Sequence, residues 1–121
     1  MRVLVVDDDP IGLDSRRMVL EMCGHSVTVA ADADGARAGF AASPEAVVLD
    51  LRLPLIEDAL ALLRELHETA PGTRVVVLSG YLKDLDGRPE RAFADAILEK
   101  PVRSERLLEA LSRPAGGAFK K

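Results

Sequence analysis

Short runs of aliphatic and β-branched residues, Val3 to Val6, Ala46 to Leu49, Val75 to Leu78 and the briefer Ala96 to Leu98, each lead into a residue able to do chemistry. Runs this short and this continuously apolar read as strands buried on both faces. The stretches between them carry helical spacing and capping residues, so strand and helix alternate along the chain. Alternation of this kind implies parallel strands joined by right-handed crossovers, and therefore a doubly wound α/β sheet with helices on both faces.

Arg2 to Val6 forms the first strand and stops at Asp7-Asp8-Asp9-Pro10. Asp9 suits an N-cap and Pro10 the first helical position, after which Ile11, Met18, Val19 and Met22 recur at helical spacing up to Gly24. Ser26 to Ala30 reads as a second strand, and Asp32 or Asp34 caps a small Ala-rich helix through Phe40. The third strand, Ala46 to Leu49, ends at Asp50. Leu60, Leu63 and Leu66 line an amphipathic helix that Pro71-Gly72 terminates, and Arg74 to Leu78 leads to Ser79-Gly80. From Tyr81 to Ala94 the sequence Asp86-Gly87-Arg88-Pro89 predicts a short or irregular helix. A fifth strand over Ala96 to Leu98 precedes Lys100-Pro101, and Ser104 is placed to cap a last helix with Leu107, Leu108 and Leu111 facing inward. Beyond Pro114 a Gly-rich stretch reads as a fraying tail or the start of a linker.

At 121 residues the chain holds one domain, over 1–113, with 114–121 as the tail. Only 3% of residues are aromatic, so Val, Leu, Ile and Ala build the core. Twenty acidic against 16 basic side chains give a net charge of −4, which argues against direct nucleic-acid binding. A lone cysteine, Cys23, excludes an internal disulfide and fits a reducing, cytoplasmic setting, and it reads as a small apolar residue packed near a helix end. The Val3 to Val6 run is too short for a membrane span.

In doubly wound sheets, ligands bind beyond the carboxyl ends of the strands. That rule gathers Asp7, Asp8, Asp50, Ser79 and Lys100. Converging carboxylates repel one another unless a cation intervenes, and an all-oxygen set without a Cys/His cluster suits Mg²⁺ rather than zinc. A hydroxyl and an ammonium opposite such a metal supply what a phosphoryl group needs. The alternative for each residue is plainer: Asp9 and Ser104 as helix caps, Ser79 as a turn residue, Lys100 as a surface lysine, and His25 and His67 as ordinary histidines.

Val5-Val6-Asp7-Asp8-Asp9-Pro10, Leu49-Asp50-Leu51-Arg52-Leu53-Pro54, Val77-Leu78-Ser79-Gly80 and Glu99-Lys100-Pro101 together resemble the receiver domain of two-component response regulators, over residues 2 to about 112. The resemblance implies a flavodoxin-like strand order of 2-1-3-4-5. It implies Asp50 as phospho-acceptor, Asp8 and Asp50 as direct Mg²⁺ ligands, Asp7 acting through water, and the backbone carbonyl of Arg52 completing the protein's ligands. Ser79 and Lys100 would then contact the phosphoryl group. The implied partner is a sensor histidine kinase or phosphotransfer protein, and the chain would catalyse only its own phosphorylation and dephosphorylation. The Lys100-Pro101 pair resembles one whose peptide bond is typically cis. The chain departs from the family at Ile97, where an aromatic switch residue is common, and at Asp58 and Phe93, where small residues are usual.

Two other functions fit parts of the sequence. A metal-dependent phosphatase with an aspartate nucleophile needs a second carboxylate two residues on, where Arg52 stands after Asp50; Asp7 to Asp9 has that spacing, but Pro10 follows. A pseudo-receiver would act as a phosphorylation-independent protein-interaction module. The length suits either a stand-alone regulator or a segment of a larger protein such as a hybrid kinase. Tyr81 and Arg52 both flank the expected path of water to Asp50.

Overall fold

The computed structural model describes residues 1–53 and 55–112, so Pro54 and the tail read from Pro114 onward lie outside the described residues. Five strands, β1 (Arg2–Val6), β2 (Ser26–Ala30), β3 (Ala46–Asp50), β4 (Arg74–Ser79) and β5 (Ala96–Glu99), form one parallel sheet in the order β2-β1-β3-β4-β5. The described α-helices are α1 (Pro10–Met22), α2 (Ala33–Phe40), α3 (Ile56–Thr69) and α4 (Ser104–Ser112).

The side-chain period of two divides the central strands between two cores. Leu4, Val6, Val47, Leu49, Val75 and Val77 meet α2 and α3 through Ala36, Ala59, Leu60, Leu63 and Leu66. Val3, Val5, Val48, Val76 and Leu78 meet α1 and α4 through Leu13, Leu20, Leu107, Ala110 and Leu111. Burial on both faces is what makes these strands continuously apolar.

Local chemistry sets the element ends. The Asp9 side chain accepts from the Ile11 N–H at 3.2 Å with Pro10 at the first helical position, and Asp32, not Asp34, caps α2 by accepting from Gly35 at 2.7 Å. At the end of α1, Gly24 takes a φ of 91°, and the N–H groups of Gly24 and His25 bond the carbonyls of Glu21 and Leu20, a Schellman closure.

Three expectations change. The helical spacing of Ile11, Met18 and Met22 is real, but these side chains are exposed, and α1 buries Leu13 and Leu20 on the opposite face. Cys23 lies at the end of α1 as read, yet it is exposed rather than packed. The Arg103 carbonyl accepts the first bonds of α4, so Ser104 stands one place inside the helix instead of capping it.

The β4–β5 connection is irregular as expected. Two 3₁₀ segments, Leu82–Leu85 and Pro89–Phe93, flank Gly87, whose φ is 73°. Leu85 is fully buried in the core beneath α3, Glu90 pairs with Arg64 of α3, and the rings of Phe93 and His67 stack at 4.0 Å. Asp95 then fixes the start of β5 by accepting from the Val75 N–H at 2.7 Å.

Candidate functional site

The strand order reverses direction between β1 and β3, which leaves a crevice beyond their carboxyl ends. Asp7 directly follows β1, and Asp50 is the last residue of β3. Both are buried, at 1% and 3% exposure, while Asp8 is exposed at the rim. One carboxylate oxygen from each of Asp7, Asp8 and Asp50 lies within 4.8 Å of the others. The sheet thus brings together the three acidic residues singled out in the sequence.

Cations and N–H groups surround this cluster. Lys100, which follows β5, donates from Nζ to Asp50 Oδ2 at 2.5 Å, and the Arg52 backbone N–H donates to Asp50 Oδ1 at 3.1 Å. The Lys100–Pro101 peptide bond is cis. Asp7 accepts the Asp9 N–H at Oδ1, 2.9 Å away, and the Arg16 guanidinium at Oδ2. Burial raises the Asp7 carboxyl above its ordinary range; the Asp9 N–H pulls it back, the Asp50 carboxylate pushes it up, and the Arg16 charge lowers it.

Ser79 closes β4 on the adjacent strand and is buried. Its hydroxyl donates to the Tyr81 carbonyl at 2.7 Å and accepts from the Tyr81 N–H at 3.0 Å, so it faces the following loop. The Arg52 side chain turns outward and forks onto Asp84, with its Nη2 3.0 Å from both carboxylate oxygens. Tyr81 is exposed. Ser79 and Arg52 therefore tie the crevice to the 3₁₀ segment from two sides.

Sequence reading missed Arg16 and Asp84. The signal for Arg16 was present as a charged residue three positions after Leu13 and four before Leu20, on the buried stripe of α1. Asp84 lies 32 residues from its partner, and local pattern carries no trace of that pairing.

A doubly wound α/β domain with a lysine-flanked acidic crevice at its switch point is the class that fold and site define. Within that class the chain belongs to the response regulator receiver domain family, whose profile matches residues 3–112. It is 34% identical over 114 residues to the C4-dicarboxylate transport transcriptional regulatory protein DctD of Pseudomonas aeruginosa, covering 93% of this chain and 24% of DctD. It is 38% identical over 114 residues to response regulator MprA of Mycobacterium avium, covering 89% of this chain and 48% of MprA. The chain thus spans half or less of these curated relatives.

Among solved structures, the receiver domain of NtrX from Brucella abortus is similar at 33% identity and a TM-score of 0.80, with 93% of this chain and 99% of that one covered. A response regulator protein from Burkholderia pseudomallei, solved with a phosphorylated aspartic acid, a calcium ion and citrate, is similar at 31% identity and a TM-score of 0.80, covering 91% and 65%. Receiver domains are signalling domains, and among the described residues no helix is long and apolar enough to cross a membrane.

Proposed function

We propose that Asp50 is the phospho-acceptor of a signalling domain, taking a phosphoryl group from the phosphohistidine of a partner kinase or phosphotransfer protein. The observation that carries this reading is the position of the Asp50 carboxylate, buried at the end of β3 against the Lys100 ammonium and next to two further carboxylates. The phosphorylated aspartic acid and calcium ion of the Burkholderia relative support it.

The three carboxylates fit a divalent cation, because hard oxygen donors within one crevice suit Mg²⁺. Asp8 and Asp50 would hold it directly, Asp7 through water, and the Arg52 carbonyl would complete the protein's share. When bound, Mg²⁺ supplies positive charge against the oxygens of the transferring phosphoryl group.

The chain's own residues carry the steps. A carboxylate oxygen of Asp50 attacks phosphorus, the P–N bond to the donor histidine breaks, and the electron pair stays on the imidazole nitrogen. Lys100 changes partner from the carboxylate to a phosphoryl oxygen, so its charge remains compensated. Ser79 leaves the Tyr81 backbone to donate to another phosphoryl oxygen, and the loop after β4 follows. In hydrolysis a water attacks phosphorus, the P–O bond to Asp50 breaks, and the carboxylate is regenerated with release of inorganic phosphate. Ile97 offers no aromatic ring to swing with Ser79, so the response passes through the 3₁₀ segment, and the partners downstream are proteins rather than nucleic acid. The working location is the cytoplasm.

Intact mass after incubation with acetyl phosphate tests this. The expected gain is one phosphoryl group in the wild type with Mg²⁺, with none in EDTA or in Asp50→Asn. A chain that gains nothing under any condition refutes the acceptor role and returns the domain to a pure interaction module.

A further inference from the structure

Arg16 stands on the inner stripe of α1 between the buried Leu13 and Leu20, where a charged side chain needs a partner. Helical side chains lean toward the N-terminus of their helix, so Arg16 runs back over the preceding turn. The residue four positions back is Gly12. A Cβ placed on Gly12 would come within 2.9 Å of Arg16 Nη2, 3.1 Å of Asp7 Oδ2 and 3.3 Å of Asp9 Oδ2. The space that a side chain at position 12 would fill is the space through which the guanidinium reaches Asp7.

Both Asp7 oxygens are consequently engaged, one by the Asp9 N–H and the other by Arg16. Lys100 already holds Asp50. Three carboxylates thus face two cations supplied by the chain itself, one on Asp7 and one on Asp50.

We propose that Arg16, seated over Gly12, is a resident counter-cation of the acidic crevice that competes with the divalent cation for Asp7 and weakens its binding. The inference rests on the metal reading given above. A dication entering the crevice meets a like charge in a partly buried setting, where water screens poorly. Arginine cannot relieve that repulsion by losing its proton. Arg16 is in this sense a positioning residue that acts through Asp7 and touches no reacting atom. It sets the cation concentration at which the crevice fills.

The test is calorimetric titration of Mg²⁺ into the metal-free full chain, repeated with Mn²⁺ followed by electron paramagnetic resonance, for the wild type, Arg16→Leu and Gly12→Ala. Arg16→Leu replaces the charge with a side chain suited to the neighbouring leucines. Gly12→Ala keeps the charge and crowds its seat; the atom met first is the far end of the flexible Arg16 side chain, with Asp7 Oδ2 next at 3.1 Å, so the helix backbone tolerates the methyl group while both side chains give way. Both variants are expected to bind the cation about tenfold more tightly or better, as removal of a nearby like charge requires. A purely structural role for Arg16 does not raise cation affinity. Unchanged or weaker binding in both folded variants, beside measurable binding in the wild type, overturns this inference alone. Absence of binding in all three proteins overturns it together with the metal reading.

Discussion

Leu85 is the point at which the irregular β4–β5 connection is pinned to the core, and Leu85→Ala measures how firmly. The side chain is fully buried among the residues packed beneath α3, and its replacement removes three carbon groups from the hydrophobic interior. At about 0.8 kcal/mol per buried CH₂ the transfer part comes to roughly 2.4 kcal/mol. Incomplete collapse of the cavity brings the total to about 3 kcal/mol. With a urea m value of roughly 1.5 kcal/mol/M, the unfolding midpoint falls by about 2 M. The chain has no tryptophan, and its single tyrosine, Tyr81, adjoins the first 3₁₀ segment. Far-UV circular dichroism therefore follows the whole sheet while tyrosine fluorescence follows this connection. Coincident transitions that shift together are expected. A loss below about 1 kcal/mol, or a tyrosine transition well ahead of the dichroism in the wild type, refutes the view that the connection is part of the cooperative core.

Two further expectations follow from contacts of the same region. On the proposed reading the exposed Tyr81 ring flanks the path of water to Asp50, so Tyr81→Ala should shorten the lifetime of the phosphorylated form by a few fold, read by loss of the added mass with time; an unchanged lifetime excludes shielding by the ring. The Glu90 carboxyl lies below its ordinary range because its own backbone N–H and then the Arg64 guanidinium favour the charged form. Its contribution to stability is therefore present above the unfolded-state pKa and lost as pH falls through the lower folded-state value. Glu90→Gln should cost up to about 1 kcal/mol at pH 7, since Arg64 is half exposed, and the difference from wild type should vanish in acid. A difference that stays constant with pH contradicts the ion-pair account.

What was legible in the sequence divides along a physical line. The strands were readable because burial on both faces removes every polar position from Val3 to Val6 and from Val75 to Leu78. The gathering of Asp7, Asp8 and Asp50 was readable for a related reason: an aspartate ending an apolar run lies where the sheet stops covering it. The irregular connection could be read from Gly87 and Pro89, which restrict the backbone directly. The buried face of α1 was harder, because Ile11, Met18 and Met22 offer one apolar stripe and Leu13 with Leu20 another; periodicity declares a helix without saying which stripe meets the sheet. The Arg64–Glu90 pair and the His67–Phe93 stack join residues 26 apart, and only the tertiary approach of α3 to the connection creates them.

The contacts around Asp50 also limit how a charge placed there can spread. Ser79 bonds the backbone of Tyr81, and Arg52 forks onto Asp84, so both connections from the crevice run into the four residues before Leu85. On the proposed reading, a phosphoryl group must draw Ser79 away from two hydrogen bonds, each worth about 1 kcal/mol net. The charge-assisted bond that Ser79 gains in exchange is stronger, so the loop's balance shifts by an amount of the same order. Leu85, at about 3 kcal/mol, exceeds that shift. On that reading the anchor stays seated while Tyr81 and Asp84 rearrange around it, and the response is confined to the surface over the 3₁₀ segment.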